Sequence, residues 1–336
     1  MFHEGDQDHA GEKDFVLFSE LPALIYKPKN ASLLQPEDPD PEHLAACFVL
    51  LNNTHPVARV AVYLNPDQKL NGIQAASLGN YECTEDPAAA GLILEHASNF
   101  VRHNGAGYML GPMNGSTWNS YRFCADNIHP PFFLEPWQPA YYNDQFRDAG
   151  LDPIANYLSS IEYTFDCDDD VTMRLEKAFL SKGIVFRSLK KDSFDEELAN
   201  LYPFLSKAFS ENVLYTPISF SSFCRKYGKA LNLISQELTI IAEDGTGKIC
   251  GLVFCYDDPL SSAGKRLVVK TIARDPSFRY AGLGNVLANM VIRKAKTMGY
   301  TAVLHALMHE KAASLNLSKR FKGEVYRRYT LYGKKA

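Results

Sequence analysis

The sequence has no hydrophobic run long enough to cross a membrane. A transmembrane helix needs roughly 18 or more apolar residues, and the longest candidate stretch, residues 57–64, is interrupted by Arg59. The first residues include Glu4 and Asp6 and lack the basic and apolar regions of a secretory signal. We therefore expect a cytoplasmic protein with no membrane span and no membrane partner.

The sequence also lacks an excess of positive charge and a cysteine framework. It has 35 Lys and Arg against 39 Asp and Glu, so no overall field attracts nucleic acid, and none is expected as a partner. Its 7 cysteines are an odd number and are scattered, which fits reduced thiols in a cytoplasm. The spacing His305-x-x-x-His309 would suit a metal only on a helix. A strand is predicted there and no third ligand is evident, so we expect no metal.

The length and composition that are present indicate a globular protein with two domains. The chain has 336 residues, of which 46% are hydrophobic, whereas a single core stops growing at roughly 250–300 residues. An acidic stretch that runs from Glu162 to Asp170 lies near the midpoint, between two segments with the patterns of folded domains. We place the boundary there and predict domains at residues 1–165 and 166–336.

The two halves show the same order of predicted elements: a hairpin, a third strand, a one-sided helix and a further strand. The first set is 45–51, 57–64, 75–83, a helix that starts at 87 and ends near 105, and 108–112. The second set is 237–242, 250–256, 267–273, a helix that starts at 283 and ends at 299, and 301–308. Two aligned units of this size favour an α/β (α+β) protein built from a duplicated domain.

Residues 268–284 carry the clearest chemical signal. A strand leads through a turn with Pro276 into Arg279-x-x-Gly282-x-Gly284, which begins a helix. Glycines let a phosphate approach the backbone, and the first-turn amides of a helix are free donors at the positive end of its dipole. Arg279 can add a charged fork. The pattern is neither a P-loop nor a dinucleotide fingerprint, so it predicts another kind of phosphate site.

This segment resembles the coenzyme A-binding motif of the GNAT acyltransferase superfamily, whose marker positions are filled here by Pro276, Arg279, Gly282 and Gly284. The likeness extends over residues 180–336, and both halves resemble an uncharacterised bacterial subgroup with two such domains. It implies two tandem GNAT-like domains, each a mixed, mostly antiparallel sheet flanked by helices. The remaining elements that it implies in the second half are 184–189, 194–209, 220–227, 312–320 and 325–332.

The resemblance also implies a co-substrate, acetyl-CoA or another acyl-CoA. In the family, pantetheine lies where two strands splay apart, and its contacts would come from the backbone of Ile272, Ala273 and Arg274. The diphosphate would lie on Arg279, Tyr280, Ala281, Gly282, Leu283 and Gly284. An amine of a small molecule or peptide would attack the thioester directly, without an acyl-enzyme. The sequence leaves the acceptor, the acyl length and the oligomeric state open.

The usual acid of the family has no counterpart in this sequence. A Tyr early in the last helix often protonates the leaving thiolate, and alignment places Asn316 at that position. Because an amide cannot act as an acid, either another group protonates the thiolate or the domain is a weak or inactive catalyst. His305, His309 and Glu310 are the best-placed candidates for proton transfer.

The first half is predicted to lack the coenzyme. Its corresponding segment has no Arg-x-x-Gly-x-Gly, and Glu82, Glu85 and Asp86 stand where a diphosphate would bind. Asp86 and the following proline instead predict the start of a helix. Polar and aromatic residues of this half suggest part of an acceptor pocket, although turn formation and interdomain packing explain them equally well. The candidates are Asn114, Ser116, Trp118 and Tyr141.

The sequence leaves three candidate functions. An acyl-CoA-dependent N-acyltransferase, most simply an acetyltransferase, agrees with the intact motif. A non-catalytic acyl-CoA-binding or sensing protein would account for Asn316. An aminoacyl-tRNA-dependent peptidyltransferase also pairs two GNAT-like domains, but the intact coenzyme motif and the lack of a long charged hairpin insertion argue against it.

Overall fold

The computed structural model describes residues 2–5, 12–26, 38–166, 170–311 and 313–336 of the chain. The strands in these ranges are β1 (Phe2–Gly5), β2 (Leu44–Asn52), β3 (His55–Tyr63), β4 (Lys69–Leu70), β5 (Ile73–Cys83), β6 (Tyr108–Gly111), β7 (Phe123–Cys124), β8 (Asp152–Glu162), β9 (Val185–Ser188), β10 (Ile240–Glu243), β11 (Ile249–Asp257), β12 (Arg266–Arg274), β13 (Ala302–His309) and β14 (Glu324–Lys335). The helices are α1 (Glu12–Ile25), α2 (Pro87–His103), α3 (Tyr142–Asp148), α4 (Asp170–Ser181), α5 (Phe194–Phe209), α6 (Phe220–Ala230), α7 (Leu283–Thr297) and α8 (Ala313–Arg320).

Local sequence signals place most of these elements correctly. Asp86 caps α2 by accepting a hydrogen bond from the amide of Ala88, and Pro87 occupies the first helical position, as predicted. The hairpin β10–β11 turns through Gly247, which has a φ of 81°, a conformation that glycine adopts without strain. The predicted order of strand, helix and strand recurs as β5–α2–β6 and as β12–α7–β13.

The strands of both halves form one continuous sheet. Its order is β1-β2-β3-β5-β6-β14-β8-β13-β12-β11-β10-β9, with β4 beside β5 and β7 beside β14. The pairs β5–β6 and β12–β13 are parallel, and the other pairs are antiparallel. Each half therefore contributes a mixed, mostly antiparallel sheet, and the two sheets are joined.

The last strand of each half completes the sheet of the other half. β8 comes from the first half and pairs with β13, with Glu162 opposite Val303 and Tyr157 opposite His309. β14 comes from the second half and pairs with β6, and β8 and β14 lie side by side. The domain boundary near residue 165, which was placed from the sequence, stays a prediction. The hydrogen-bonded sheet runs across it.

This exchange corrects one expectation and adds the neighbouring strands to another. The predicted acidic linker began at Glu162, but Glu162 is the last residue of β8 and is buried among core residues. The predicted last strand of the second half exists as β14, but its strand neighbours β6, β7 and β8 all belong to the first half. Neither pairing has a local sequence signal, because each partner is distant in sequence.

Helices cover both faces of the sheet in the second half. α7 packs closely on β11 because residue 251 is glycine: a Cβ on Gly251 would lie 2.9 Å from a methyl carbon of Leu283. α5 and α6 pack on the opposite face, over Leu252 and Ala273. The close packing of α7 fixes where the N-terminus of that helix meets the end of β12.

Among the described residues, no helix combines the length and apolarity that crossing a bilayer requires. The same residues contain no group of three or more His, Cys, Asp or Glu side chains arranged to hold a metal ion.

Candidate active site

The parallel strands β12 and β13 separate part-way along their length. Their last paired residues are Val269 and His305. β12 continues to Arg274 and β13 to His309 without pairing with each other. The separation therefore forms a gap at the carboxyl ends of two parallel strands, where ligands of α/β proteins tend to bind.

Irregular backbone on both strands produces the gap. Along β12, the register with β11 skips Lys270, so that Val269 and Thr271 pair with consecutive residues of β11. Along β13, the register with β8 breaks between His305 and Met308, and Leu307 has a φ of 61°. Such bulges bend a strand and increase its twist. Beyond its bulge, β13 pairs with β8 rather than with β12.

Backbone groups of β12 remain available in the gap. The amide of Asp275 donates to the carbonyl of Cys250 on β11 at 2.9 Å. Because hydrogen bonding alternates along an antiparallel pair, Ala273 also directs its backbone groups toward β11, whereas Ile272 and Arg274 direct theirs into the gap. Two of the three residues predicted to contact pantetheine therefore have backbone groups on the side that this contact would need.

The predicted diphosphate segment forms a tight turn at the start of α7. Gly282 has a φ of 89°, which a residue with a side chain rarely adopts. The structure records no acceptor among the described residues for the amides of Arg279, Gly282, Leu283 and Gly284. Free amides at a helix N-terminus, aided by the helix dipole, form an anion-binding site.

Arg279 stands beside this turn and is held by a carboxylate. Its side chain is 65% exposed, and its guanidinium lies 3.4 Å from Oδ2 of Asp244. The hydroxyl of Tyr280 donates to the same oxygen at 3.0 Å. Hydrogen bonds from the Thr246 hydroxyl and amide, and from Tyr280, lower the pKa of Asp244 to about 2. This carboxylate therefore stays ionised at neutral pH and competes with any anion for Arg279.

His309 lies half-buried at the end of β13. Its Nδ1 accepts the amide hydrogen of Lys311 at 3.0 Å, so the neutral ring carries its proton on Nε2. Burial, together with the charges of Lys311 and Arg122, lowers the pKa of His309 below its usual 6.5. The imidazole is therefore neutral at pH 7 and presents an N–H donor from Nε2.

The other proton-transfer candidates lie in different surroundings. His305 is buried, and its Nε2 lies 3.7 Å from Oε2 of Glu162. Its ring stacks on Phe321 with the centroids 6.1 Å apart. Glu310 is exposed on the turn after β13, and Asn316 belongs to α8. The structure thus brings His309 and Glu310 to the end of β13, and it places His305 inside the sheet.

Residues 201–322 match the model of the Acetyltransferase (GNAT) family. This range includes the gap, the turn at 279–284 and α7. The whole chain also resembles solved structures. A tandem GNAT protein from the clavulanic acid biosynthesis pathway covers 100% of this chain and 98% of its own, with 12% identity and a TM-score of 0.54. The chain has a tandem GNAT fold.

Two further relatives extend this comparison. A GCN5-related N-acetyltransferase from Anabaena variabilis shares the tandem GNAT fold over 99% of this chain and 72% of its own, with 9% identity and a TM-score of 0.57. A curated protein named bacterial ceramide synthase, from Caulobacter vibrioides, is 23% identical over 212 residues. The match covers 61% of this chain and 54% of the relative, so the chain spans about half the length of that protein.

Within the tandem GNAT fold, β5 and β6 of the first half correspond to β12 and β13 of the second half. The gap between β5 and β6 is closed. β5 and β6 pair last at Ser77 and Leu110, but the chain after β6 fills the space between them. The side chain of Asn114 accepts the amide hydrogen of Asn80 at 2.8 Å. A Cβ on Gly79 would lie only 2.6 Å from the Asn114 side chain. This closure is a second reason, besides the acidic residues, to expect no coenzyme in the first half.

The acidic residues of the first half have separate positions. Oε2 of Glu82 accepts hydrogen bonds from the hydroxyls of Tyr26 and Tyr142, each at 2.7 Å, and Oε1 lies 3.8 Å from Arg59. Burial raises the pKa of Glu82. Asp86 caps α2. Glu82 is therefore a core residue, so its predicted place at the diphosphate position is wrong, whereas Asp86 lies at the helix N-terminus.

The residues predicted for an acceptor pocket each make hydrogen bonds within the protein. Trp118 reaches the second half, where Nε1 donates to the carbonyl of Thr216 at 3.0 Å. Ser116 is buried and accepts the amide hydrogen of Trp118. Tyr141 lies in the first half and donates to the carbonyl of Cys83 at 3.0 Å. Asn114 closes the first-half gap as described. Their role in acceptor binding stays a prediction.

A narrow apolar cavity of about 20 Å³ lies beside the bulge of β12, under α5 and α6. Its volume is enough for about one water molecule. Its lining is mostly aliphatic and aromatic: Leu189, Phe194, Leu198, Leu201, Leu205, Phe223, Tyr227, Ile234, Thr239, Leu252, Phe254 and Thr271. A shallow groove of about 430 Å³ lies instead in the first half, between residues 127–131 and 137–140, with Arg327 at its base.

The structure adds site residues that the sequence did not reveal. Arg122 of the first half donates to the carbonyl of Leu307 at the bulge of β13, and Asp244 holds Arg279 from the β10–β11 turn. The Asp-Gly-x-Gly turn was visible in the sequence, and its position beside Arg279 follows from the hairpin. Arg122 lies in an irregular segment, and no local pattern distinguishes it.

Proposed function

We propose that the chain is an acyl-CoA-dependent N-acyltransferase whose co-substrate binds in the gap between β12 and β13. The observation that carries the proposal is the combination of this gap with four amides at one end of it for which the described residues offer no acceptor. An extended thioester could place its pantetheine against the backbone of Ile272 and Arg274, while Arg279, Gly282, Leu283 and Gly284 bind the diphosphate.

The same geometry supports direct transfer to an amine. A thioester held in the gap has its reacting end near the bulges of β12 and β13, where the Lys270 and Leu307 backbones are irregular. Positioning then supplies much of the rate, because attack becomes effectively unimolecular. The neutral His309 would donate a hydrogen bond from Nε2 rather than act as a base. The acceptor is an amine of a small molecule or peptide.

An acetyl group fits the space beside the bulge better than a long acyl chain does. The cavity of about 20 Å³ next to Thr271 has no room for more than a few atoms unless α5 or α6 moves. A ceramide is an N-acylated amine, so the name of the Caulobacter relative supports transfer to nitrogen. We place the reaction in the cytoplasm, on the cysteine usage of the sequence.

Calorimetry with acetyl-CoA tests the binding site. The test variant is Arg279→Glu, and the matched control is Lys296→Glu, which makes the same charge change on an exposed residue at the far end of α7. Wild type and the control should bind with similar affinity, and Arg279→Glu should bind about 10- to 100-fold more weakly. Equal binding by all three proteins would show that acetyl-CoA does not bind at the proposed site in the second half.

Turnover separates an enzyme from a sensor. Release of free coenzyme A thiol is followed with acetyl-CoA and a panel of amines, and the series is repeated with longer acyl groups. The proposal predicts thiol release that depends on the amine and is fastest with acetyl-CoA. Tight binding without release over a broad panel would indicate the alternative, an acyl-CoA-binding protein, for which Asn316 in α8 at the position of the family's acid is the supporting observation.

A further inference from the structure

Arg122 is a buried arginine of the first half that is held between two aromatic rings. It is 6% exposed. Its guanidinium carbon lies 3.7 Å from the ring centroid of Tyr121 and 4.0 Å from that of Tyr157. The residue has a φ of 76°, a left-handed conformation that non-glycine residues rarely adopt. The surrounding structure therefore fixes this cation in one position.

The charge of Arg122 has no carboxylate partner among the described residues. Its Nη1 donates to the carbonyl of Leu307 at 3.1 Å, and its Nε donates to the carbonyl of Tyr121 at 3.0 Å. Its Nη2 has no acceptor in the part of the chain that the structure describes. The other two buried arginines each face an acid: Arg327 lies 2.8 Å from Glu135, and Arg59 lies 3.8 Å from Glu82.

Burying an unpaired charge is expensive. Carbonyl dipoles and aromatic faces offset part of the unfavourable desolvation free energy. A buried ion nevertheless ordinarily requires a partner of opposite charge. A ligand that brings a negative charge would supply this partner. The planar fork of a guanidinium matches the oxygens of a carboxylate or phosphate.

The position of Arg122 relates this charge to the proposed reaction. Leu307, whose carbonyl it binds, is the bulged residue of β13, two positions beyond the last pair with β12. His309 is two residues further, and its ring contacts Tyr157 edge-on with the centroids 5.1 Å apart. The charge of Arg122 contributes to the lowered pKa of His309. The cation therefore lies at the bulge of β13, the strand that borders the gap opposite the predicted pantetheine contacts of β12.

We propose that Arg122 binds an anionic group of the acceptor, a carboxylate or a phosphate, and thereby positions the amine that is acylated. The inference rests on the proposed function and names its substrate class, which is an amine that carries an acidic group. Tyr121 and Tyr157 hold the guanidinium in place. The first half of the chain then contributes acceptor recognition, while the second half binds the coenzyme.

Matched pairs of amines test this proposal. The probes are the common α-amino acids with their α-carboxamides, and O-phosphoethanolamine with ethanolamine. Within each pair the amine is kept while the negative charge is removed, and the two sets distinguish a carboxylate from a phosphate. Binding to the coenzyme A-loaded wild type is measured by thermal shift, and kcat/KM is measured where turnover occurs. At least one anionic member should be favoured over its neutral partner by about 10-fold or more.

The variants Arg122→Gln and Arg122→Lys test whether Arg122 causes the preference for the anionic member of each pair. Arg122→Gln should lose the preference for the anionic member, so that the ratio of the kcat/KM values of the anionic and neutral members falls to about 1, whatever change is common to both members. Arg122→Lys should retain part of the preference because it keeps the charge but not the fork. The matched control is Arg147→Gln, at an exposed arginine of α3, which should leave the preference unchanged.

Three outcomes would overturn the inference. Wild type could bind the neutral and anionic members equally. This result would reject the inference even if a variant does not fold. Arg122→Gln could lower kcat/KM equally for both members, as expected for a structural role or for stabilising the reaction's oxyanion. The variant could also retain the full preference. Calorimetry with acetyl-CoA keeps this test separate from the proposed function: unaltered coenzyme binding with no anion preference rejects the Arg122 inference alone.

Discussion

Val269 and His305 form the last pair of the parallel ladder between β12 and β13. Beyond them, β12 follows β11 and the outer end of β13 follows β8. β8 comes from the first half of the chain, so the opening in the second half depends on a strand that the first half provides. The candidate site is therefore a property of both halves.

When the two halves are expressed separately, neither should fold into a soluble protein. If residues 1–166 and 167–336 are expressed as individual proteins, each lacks a strand that completes its sheet and exposes an unpaired edge, which promotes aggregation. Co-expression with a tag on one fragment should yield a soluble complex of both fragments that binds acetyl-CoA. Recovery of a monomeric, folded 167–336 fragment with full coenzyme affinity would contradict the role assigned to β8.

Removing the carboxylate beside Arg279 should strengthen coenzyme binding. In Asp244→Asn, the amide oxygen can still accept from Thr246 while the negative charge near the proposed diphosphate is lost. We expect the Kd for acetyl-CoA to fall about 2- to 5-fold. The pKa of Asp244 is about 2, so the ratio between the two proteins should be constant from pH 6 to pH 8. Asp148→Asn, at an exposed aspartate of α3, is the charge-matched control, and an equal gain there would show a nonspecific effect.

The rate should depend on the protonation of His309. Its pKa is lowered from 6.5, so the ring is neutral above that range and gains a proton as the pH falls through the lowered value. Protonation places a hydrogen on Nδ1 and breaks the bond from the Lys311 amide. We expect kcat/KM to fall about 10-fold per pH unit below the pKa of His309. In His309→Gln, whose side-chain amide does not titrate, the part of the acid limb that belongs to His309 should disappear, while the part that belongs to protonation of the acceptor amine should remain. Identical pH profiles for the two proteins would exclude His309 from the rate-limiting step.

The buried pair His305–Glu162 should contribute to stability rather than to catalysis. In His305→Leu, the carboxylate of Glu162, which is 1% exposed, loses the imidazole 3.7 Å away. Leaving a buried polar group without its neighbour costs about 1–3 kcal/mol, so the midpoint of urea unfolding should fall. The double variant with Glu162→Leu should recover most of the loss. A stable single variant with greatly reduced kcat would instead make His305 a participant in the reaction.

Local signals were sufficient to predict the elements that surround the candidate coenzyme site. The apolar period of α7, the turn with Pro276 and the glycines at 282 and 284 are consecutive in sequence, and each reports on its own neighbourhood. α5 has the bounds that the resemblance to the GNAT family implied for it, Phe194–Phe209. These features need no knowledge of the other half.

The strand exchange and the acceptor side could not be predicted in this way. Glu162 follows an alternating strand and precedes further acids, so composition favours a linker, and only its pairing with β13 reveals it as a core residue. Arg122 gains its position from Tyr157 and Leu307, which are distant in sequence. Such residues depend on the assembled tertiary structure, whose contacts a single sequence does not encode in any local pattern.

The central claim is that the backbone at residues 279–284 binds the diphosphate of coenzyme A. Its most direct test is a titration of the ¹⁵N-glycine-labelled protein with coenzyme A, followed by amide NMR of its 21 glycines. We predict large shifts for Gly282 and Gly284, with Gly79 and Gly111 of the closed first-half gap unmoved. Unchanged signals from Gly282 and Gly284 at saturating coenzyme, or shifts confined to the first half, would contradict the account.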